Sequence, residues 1–403
     1  MKDVAWLIVL QGLNYLVPLF VWPYLMAVLG AEGFGLIGFS LQLMQFMMLA
    51  VDFGFNLSAT KSIAIAPNQA AIDKVATETL YSKLLLLGIC TVVTFGLMLI
   101  PRYAPYRWAV AVMFPMLVGN VFSFQWLYQG LGRIRQVSVV NCVCRLLLLP
   151  LTFWLVSSPK DVLLAAGIQS STYVLSGVIM VIWTVRERLF RLVPTGWEYI
   201  RKALKDSLPL FLSTATSSVY AMLFVVILGY FTTPYEVGCY SAVEKIMRVT
   251  CYLFLLPAIQ VFYPKVSKLF SEDRPAAQRL VRRILGVLVG VMVLLGAGLF
   301  FGGEWLIGLL GKDYDGTEPL FHIMAFIPVL VVVSGVCGQL GLVACGEAKQ
   351  YCQFRNVYFV GAGVALLMIA ALSPILSAKW VALSLLCAEG IVGVLMYWYY
   401  KRI

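Results

Sequence analysis

Charged side chains are scarce in this 403-residue chain. Only 12% of its residues are Asp, Glu, Lys or Arg, whereas 61% are hydrophobic. A soluble domain averages about 25% charged and about 45–50% apolar residues, so this composition excludes an ordinary soluble protein. Apolar runs of about 18 residues or more recur from end to end, and each can cross a hydrocarbon core of roughly 30 Å. The sequence therefore predicts an integral membrane protein.

The residues and motifs of catalysis are also missing. The only histidine, His322, is predicted to lie close to an outer loop end, as an interfacial residue rather than a general base. The sequence contains no glycine-rich phosphate loop, nucleophile elbow or acidic metal cluster. Its nine cysteines include no CxxC pair of zinc spacing and are interpreted as small apolar residues. We expect neither an enzyme nor a cofactor or metal site.

The apolar segments are continuous rather than alternating, which predicts an all-α polytopic membrane protein and not a barrel. The twelve predicted spans are 4–29, 36–60, 80–100, 108–130, 139–157, 162–184, 207–231, 239–262, 284–303, 319–343, 353–373 and 380–400. A predicted cytoplasmic linker, 191–206, separates an N-terminal six-helix lobe, 1–190, from a C-terminal six-helix lobe, 207–403.

Lys and Arg concentrate in the loops that follow even-numbered spans. Two of these loops hold Arg186, Arg188, Arg191, Arg201, Lys202 and Lys205, and Lys265, Lys268, Arg274, Arg279, Arg282 and Arg283. By the positive-inside rule, both termini are predicted to be cytoplasmic. We interpret these basic runs as orientation signals beside lipid headgroups. Nucleic-acid binding is not expected, because the loops are short and have no recognisable fold.

The two halves of the chain resemble each other weakly. Gly35 and Gly238, which precede spans 2 and 8, are separated by 203 residues, and Gly132 and Gly346, which open spans 5 and 11, by 214. Since each half has six spans, such repeats are parallel and related by an axis along the membrane normal. Two lobes facing each other predict a central cavity and a transporter that works by alternating access.

Two polar stripes interrupt the apolar spans. They consist of Gln42, Gln45, Asp52 and Asn56 in span 2, and Glu244, Lys245 and Arg248 in span 8. On a helix, each set falls within an arc of about 80–100°. Ionisable groups in a span cost at least about 2.5–3.5 kcal/mol each and must face protein or water. Glu244 and Arg248 can form a self-contained i,i+4 pair that orients two helices. Alternatively, the stripe is a cationic wall, since Lys245 leaves it net positive and Arg can grip phosphate oxygens.

Further polar candidates in spans 1 and 7 are Asn14, Tyr15 and Ser217. They can hydrogen-bond to sugar hydroxyls or equally to one another across helices. Arg145 in span 5 is the best additional cationic candidate. Asp52 and Glu389 have no evident partner in the sequence, so two interpretations stay open for them. Either one takes up a proton for coupling, since burial raises a carboxyl pKa, or it forms a salt bridge to Arg145 or Lys83.

Four segments resemble patterns of one transporter family: LGAEGFGL at 29–36, DFGFNLSATK at 52–61, YQG at 128–130 and GCYSAVEKI at 238–246. With them the chain resembles the polysaccharide-biosynthesis flippases, the O-antigen (Wzx-type) branch of the multidrug/oligosaccharidyl-lipid/polysaccharide exporter superfamily. The resemblance implies two six-helix lobes forming a V-shaped central cavity with a cationic lumen. It implies an undecaprenyl-pyrophosphate-linked oligosaccharide, an O-antigen or related repeat unit, as the substrate. It also implies transport from the cytoplasmic to the periplasmic leaflet of a bacterial inner membrane.

The resemblance further implies coupling to an H⁺ or Na⁺ gradient in place of a cofactor. It also implies a glycan polymerase and a chain-length regulator as partners. In this hypothesis Lys245, Arg248 and Arg145 hold the pyrophosphate while the lobes rock around it. Two alternatives stay open. A drug or cation exporter of the same superfamily requires a net acidic cavity, whereas a membrane glycan polymerase or transferase requires a catalytic outer loop with paired charges.

Overall fold

The computed structural model describes the backbone of residues 2–310, 312–314 and 317–403, and the side chains of 20–212, 215, 222–303, 305–308, 313–314, 317–347 and 349–403. The regular elements of this part are helical, which confirms the all-α prediction. The α-helices are α1 (Lys2–Asp52), α2 (Phe55–Ala64), α3 (Gln69–Leu99), α4 (Arg107–Met113), α5 (Pro115–Val121), α6 (Gln125–Gly130), α7 (Ile134–Leu155), α8 (Val162–Arg186), α9 (Trp197–Phe231), α10 (Pro234–Glu272), α11 (Arg274–Leu310), α12 (Glu318–Met324), α13 (Ile327–Gly335), α14 (Ala348–Leu372) and α15 (Ala378–Lys401). A π-helix, Val336–Val343, follows α13.

Within the described ranges, nine helices are long and apolar enough to cross a membrane. There are ten if Pro101–Met113 and Pro115–Gly130, which meet at a 42° bend, form one span. These helices overlap predicted spans 2–6 and 8–12. Predicted spans 1 and 7 fall partly on residues whose side chains lie outside the described part, so the count of twelve stays a prediction. The chain is a multi-pass membrane protein.

A break separates α1 from α2 in the middle of an apolar segment. Phe53 and Gly54 adopt positive φ angles of 41° and 79°, which a helix cannot contain. A Cβ on Gly54 would also lie 2.8 Å from the backbone nitrogen of Phe211, so glycine is required for both reasons. The structure thus interrupts the single helix predicted over 36–60, directly after Asp52.

The chain forms two compact units. The N-terminal unit comprises Met1–Leu29 and Leu36–Ala215. Its core includes the fully buried Trp126 and Tyr128, and the ring of Phe39 stacks on that of Tyr106 with centroids 4.0 Å apart. Aromatic rings of this size contribute much of the buried apolar surface of a core.

The C-terminal unit comprises Gly30–Gly35 and Thr216–Ile403. Its short N-terminal segment crosses the start of α10 at very close range. A Cβ on Gly35 would lie 1.9 Å from the carbonyl oxygen of Pro234, and one on Gly238 would lie 1.7 Å from that of Ala31. Only glycine allows backbones to approach so closely. Gly35 and Gly238 are the pair that the internal sequence match relates.

Candidate functional site

Three charged side chains lie within two turns of α10, inside the predicted span 239–262. The Arg248 Nε lies 2.5 Å from Glu244 Oε1, which is the i,i+4 pair predicted from the sequence. Lys245 is half-buried and interacts electrostatically with both residues. The Glu244 side chain is only 4% exposed, whereas that of Arg248 is 36% exposed. The carboxylate therefore faces the protein, and the guanidinium keeps an accessible edge.

Further polar groups of the C-terminal unit surround this turn, on α10 itself and on α13, α14 and α15. Tyr240 interacts electrostatically with Glu244, Arg248 and Glu389, a buried residue of α15. Tyr252 interacts with Arg248 and Glu389. Tyr358 of α14 interacts with Glu389 and Tyr252, and it hydrogen-bonds to the Ser334 side chain. We call this set the C-terminal polar cluster; it consists of Tyr240, Glu244, Lys245, Arg248, Tyr252, Tyr358 and Glu389.

The charge of this cluster differs from that of α10 alone. Glu244, Lys245 and Arg248 together carry a net charge of one positive. With the carboxylate of Glu389 the cluster has two cations and two carboxylates, so its formal net charge is zero. The distribution of the charges is nevertheless uneven. Glu244 and Glu389 are both buried, whereas Lys245 and Arg248 are only partly buried. The buried carboxylates reduce the cost of holding those cations inside a membrane protein.

A second polar cluster, in the N-terminal unit, surrounds the break between α1 and α2. Lys83 Nζ of α3 lies 2.8 Å from Asp52 Oδ1, and their side chains are 2% and 23% exposed. Asn120 Nδ2 donates to Asp52 Oδ1 at 3.1 Å, and Asn56 Nδ2 donates to Asp52 Oδ2 at 3.3 Å. The structure thus favours the salt-bridge interpretation of Asp52, with Lys83 as its partner.

The remaining predicted residues occupy separate places. Gln42 is buried and Gln45 half-buried on α1, on the unbroken part of the predicted stripe. Arg145 is half-buried on α7, where the neighbouring Asn141 accepts a hydrogen bond from Ser176. Arg145 belongs to the N-terminal unit and Lys245 to the C-terminal unit, so their joint binding of one ligand stays a prediction. The predicted residues outside the described side chains are Asn14, Tyr15 and Ser217.

Sequence reasoning missed Asn120 and Tyr358 of these clusters, because both are uncharged and lie outside the two predicted polar stripes. It also left out Arg355 of α14. Arg355 lies at the edge of a predicted span, where a cation is expected at the interface, yet its Nε is buried without a hydrogen-bond partner among the described residues. Its i,i+3 spacing from Tyr358 could have pointed to one shared face of α14. In the described part of the chain, no three His, Cys, Asp or Glu residues are grouped to hold a metal ion.

Two solved structures with the same fold are a multidrug transporter and a lipid flippase. A multidrug resistance MATE family transporter of the MOP superfamily, in an inward-facing conformation, matches with a TM-score of 0.74 and 14% identity over 97% of this chain and 94% of its own. The lipid II flippase MurJ, in an inward closed conformation, matches with a TM-score of 0.77 and 12% identity over 98% of this chain and 87% of its own. At such identities the likeness establishes the fold alone.

Sequence relatives are closer. A protein of Escherichia coli (strain K12) named "Putative O-antigen transporter" is 30% identical over 100% of this chain and 96% of its own length. A protein of Shigella dysenteriae with the same name is 29% identical over 98% of each chain. Both names are those of transporters, which agrees with the prediction that this chain is not an enzyme. The family described as polysaccharide biosynthesis protein matches residues 1–270, and the chain belongs to that family.

Proposed function

We propose that this protein is a flippase for a lipid-linked oligosaccharide. The cargo is an undecaprenyl-pyrophosphate-linked repeat unit of an O-antigen or a related surface polysaccharide. The names of the two full-length relatives support an O-antigen component as cargo. The observation that carries the proposal is the uneven burial of charge in the C-terminal polar cluster, where the carboxylates are buried and Arg248 is about one-third exposed.

The physical need for such a protein follows from the cargo. Removing a hydroxyl from water without a new hydrogen bond costs roughly 2–7 kcal/mol, and removing an isolated charge costs far more. A repeat unit carries several hydroxyls and a pyrophosphate, so it does not cross lipid unaided on a useful timescale. Accessible cations inside the protein replace water at the pyrophosphate. Hydroxyl and amide side chains replace water at the sugar.

Within this proposal, Arg248 and Lys245 have distinct roles. The Glu244 carboxylate holds Arg248 by its Nε, which leaves the terminal nitrogens of the guanidinium to grip phosphate oxygens in bidentate fashion. Lys245, one residue away on α10, supplies a point charge without a fixed geometry. Arg145 is the additional cation predicted for the N-terminal unit, and Gln42, Gln45 and Asn56 are predicted sugar contacts.

The cellular setting is part of the same proposal. The excess of Lys and Arg in alternate loops supports cytoplasmic termini, and the family of the chain supports a position in a bacterial inner membrane. Transport then runs from the cytoplasmic to the periplasmic leaflet by alternating access, coupled to an H⁺ or Na⁺ gradient. A glycan polymerase and a chain-length regulator act on the cargo after it has crossed.

Export by substituted variants tests the proposal. We expect Lys245→Gln with Arg248→Gln to abolish surface glycan in a deletion strain and to strand single lipid-linked repeat units on the cytoplasmic leaflet. Lys268→Gln is the matched control, because Lys268 also lies on α10 but is exposed and pairs with Glu272. Immunoblots must show equal membrane levels of all variants. Normal export by the double variant would refute the binding of pyrophosphate at these residues.

One observation favours a second candidate, a cation exporter. Glu389 makes the cluster formally neutral, and two buried carboxylates suit an organic cation better than a purely basic site does. This candidate predicts that Glu389→Gln abolishes drug resistance while glycan export is unchanged. The flippase proposal predicts that drug resistance does not depend on the protein and that the stranded intermediate is a glycolipid, which mass spectrometry identifies.

A further inference from the structure

A cavity in the N-terminal unit lies where α2 and α3 meet the first turns of α9, and it shares no lining residue with either polar cluster. Its volume is about 170 Å³. Four charged side chains line it: Lys74 and Glu78 of α3, and Lys202 and Asp206 of α9. Its floor includes the buried Thr79 and Ser207. The proposed flippase mechanism does not use this cavity.

The predicted start of span 3 puts the cavity near the level of lipid headgroups. Lys74 and Glu78 precede the apolar run predicted from residue 80 by about 9 Å and about 3 Å along the helix axis. The ring of Tyr199, which lines the cavity, is partly exposed. Tyrosine is enriched at membrane interfaces, so a charged lining beside this ring suits the headgroup region of a bilayer.

The walls of the cavity are held in place by hydrogen bonds. The segment that leads into α9 is attached to α3, since the Arg191 amide donates to Asp73 Oδ1 at 3.0 Å and the Val193 amide donates to Thr77 Oγ1 at 3.2 Å. Ser58 of α2 and Ser207 of α9 are joined by a 2.7 Å hydrogen bond. The α2, α3 and α9 walls are therefore already assembled before any ligand enters.

Two features indicate what would bind. Lys74 Nζ is 4.2 Å from the centroid of the Tyr199 ring, which positions a cation on one side. Glu78 is half-buried, lines the cavity and interacts electrostatically with Lys74 and Lys202. Its Oε1 accepts no hydrogen bond from the described residues, and a carboxylate whose acceptors are incompletely paired favours a partner with N–H or O–H donors. The cavity therefore suits a ligand that brings hydrogen-bond donors to the Glu78 carboxylate.

From this arrangement we infer that the cavity binds the headgroup of a zwitterionic phospholipid with a primary ammonium, of the phosphatidylethanolamine type. The ammonium donates to the Glu78 carboxylate, and Lys202 and Lys74 pair with the phosphate. Two cations and two carboxylates line the cavity, so an anionic or a cationic headgroup would meet repulsion from one half of it. A trimethylated headgroup fits the charges but has no N–H to donate.

Competition between lipids tests this inference without any transport assay. The purified full-length protein is mixed with equal amounts of phosphatidylethanolamine and phosphatidylcholine of identical acyl chains, and bound lipid is measured by native mass spectrometry. Because a charge-assisted hydrogen bond distinguishes the two, we expect the ethanolamine lipid to be preferred roughly tenfold. Glu78→Gln should reduce this preference, and Lys202→Met should weaken retention of both lipids. Lys205→Met, at an exposed position of α9 outside the cavity, is the control and should change neither.

Three results would overturn the inference. Equal retention of the two lipids by the unsubstituted protein would show that N–H donors are not recognised. An unchanged preference in Glu78→Gln would place the recognition elsewhere. Stronger retention of phosphatidylglycerol with the same acyl chains, lost in Lys202→Met, would identify a simple anion site. Lys202 is exposed, so its substitution leaves the fold intact, and the comparison on the unsubstituted protein needs no variant.

Discussion

The buried pair between Asp52 and Lys83 allows a quantitative prediction. Lys83→Met removes the cation and leaves the carboxylate, among the described residues, with the amide donors of Asn56 and Asn120. Removing one partner of a buried ion pair costs about 3–5 kcal/mol. Because the Asp52 side chain keeps 23% exposure, the loss should lie at the lower end, at about 3 kcal/mol.

A double-mutant cycle separates the pair from general packing effects. Asp52→Asn with Lys83→Met removes both charges together, and such replacements are often neutral or stabilising. We therefore expect each single variant to be less stable than the double variant, with a coupling free energy of roughly 2 kcal/mol or more. Equilibrium unfolding in mixed micelles measures these values, with a thiol-specific fluorophore reporting exposure of buried cysteines such as Cys90. Additive single effects, or two singles as stable as the unsubstituted protein, would refute the reasoning.

Two further predictions concern the C-terminal unit. Gly238→Ala should lower the membrane level and the melting temperature of the protein, because the new Cβ would lie 1.7 Å from the Ala31 carbonyl oxygen. Gly88→Ala is the control and should change neither quantity, since its Cβ would have no neighbouring atom within 4 Å. Equal losses in the two variants would contradict the close contact at Gly238. Hydrogen bonds, led by that of the Gln350 side chain, lower the pKa of the Glu347 carboxyl, so its contribution to stability is present above its usual pKa and is lost as the pH falls through the lowered value. Glu347→Gln should therefore lower the melting temperature at neutral pH and have no effect in acid, and an effect of equal size at both pH values would contradict this.

Local sequence patterns were sufficient for the parts of the fold that depend on one segment at a time. Continuous apolar runs predicted helices, and ten of the predicted spans overlap apolar helices of the described part. The pair between Glu244 and Arg248 was likewise predictable, since i,i+4 residues of one helix are neighbours whatever the tertiary structure. The break at Gly54 was not predicted, because the apolar run continues through it, although a DFG sequence within a span is a possible signal for a turn.

The polar and apolar periodicity of the sequence could not predict which residues of different helices contact each other. Asp52 had two candidate partners in the sequence, and only the packing of α3 beside α1 selects Lys83. Glu389 is almost 150 residues from Glu244, so its addition to the same cluster, and hence the neutral formal charge, depended on how α10 and α15 pack. The cavity was missed for the same reason. In the sequence Glu78 and Lys202 are far apart, and each is an ordinary charged residue near the end of a predicted span.

Binding of a pyrophosphate lipid to the purified protein tests the central claim most directly. Undecaprenyl pyrophosphate without a sugar is the probe, and undecaprenol is the control for binding of the tail alone. Hydrogen bonds to charged groups contribute roughly 1.5–3 kcal/mol each, so Lys245→Gln with Arg248→Gln should weaken binding of the probe at least about a hundredfold. Lys268→Gln should bind as the unsubstituted protein does. Equal affinity of the double variant, or equal affinity for undecaprenol, would contradict the account.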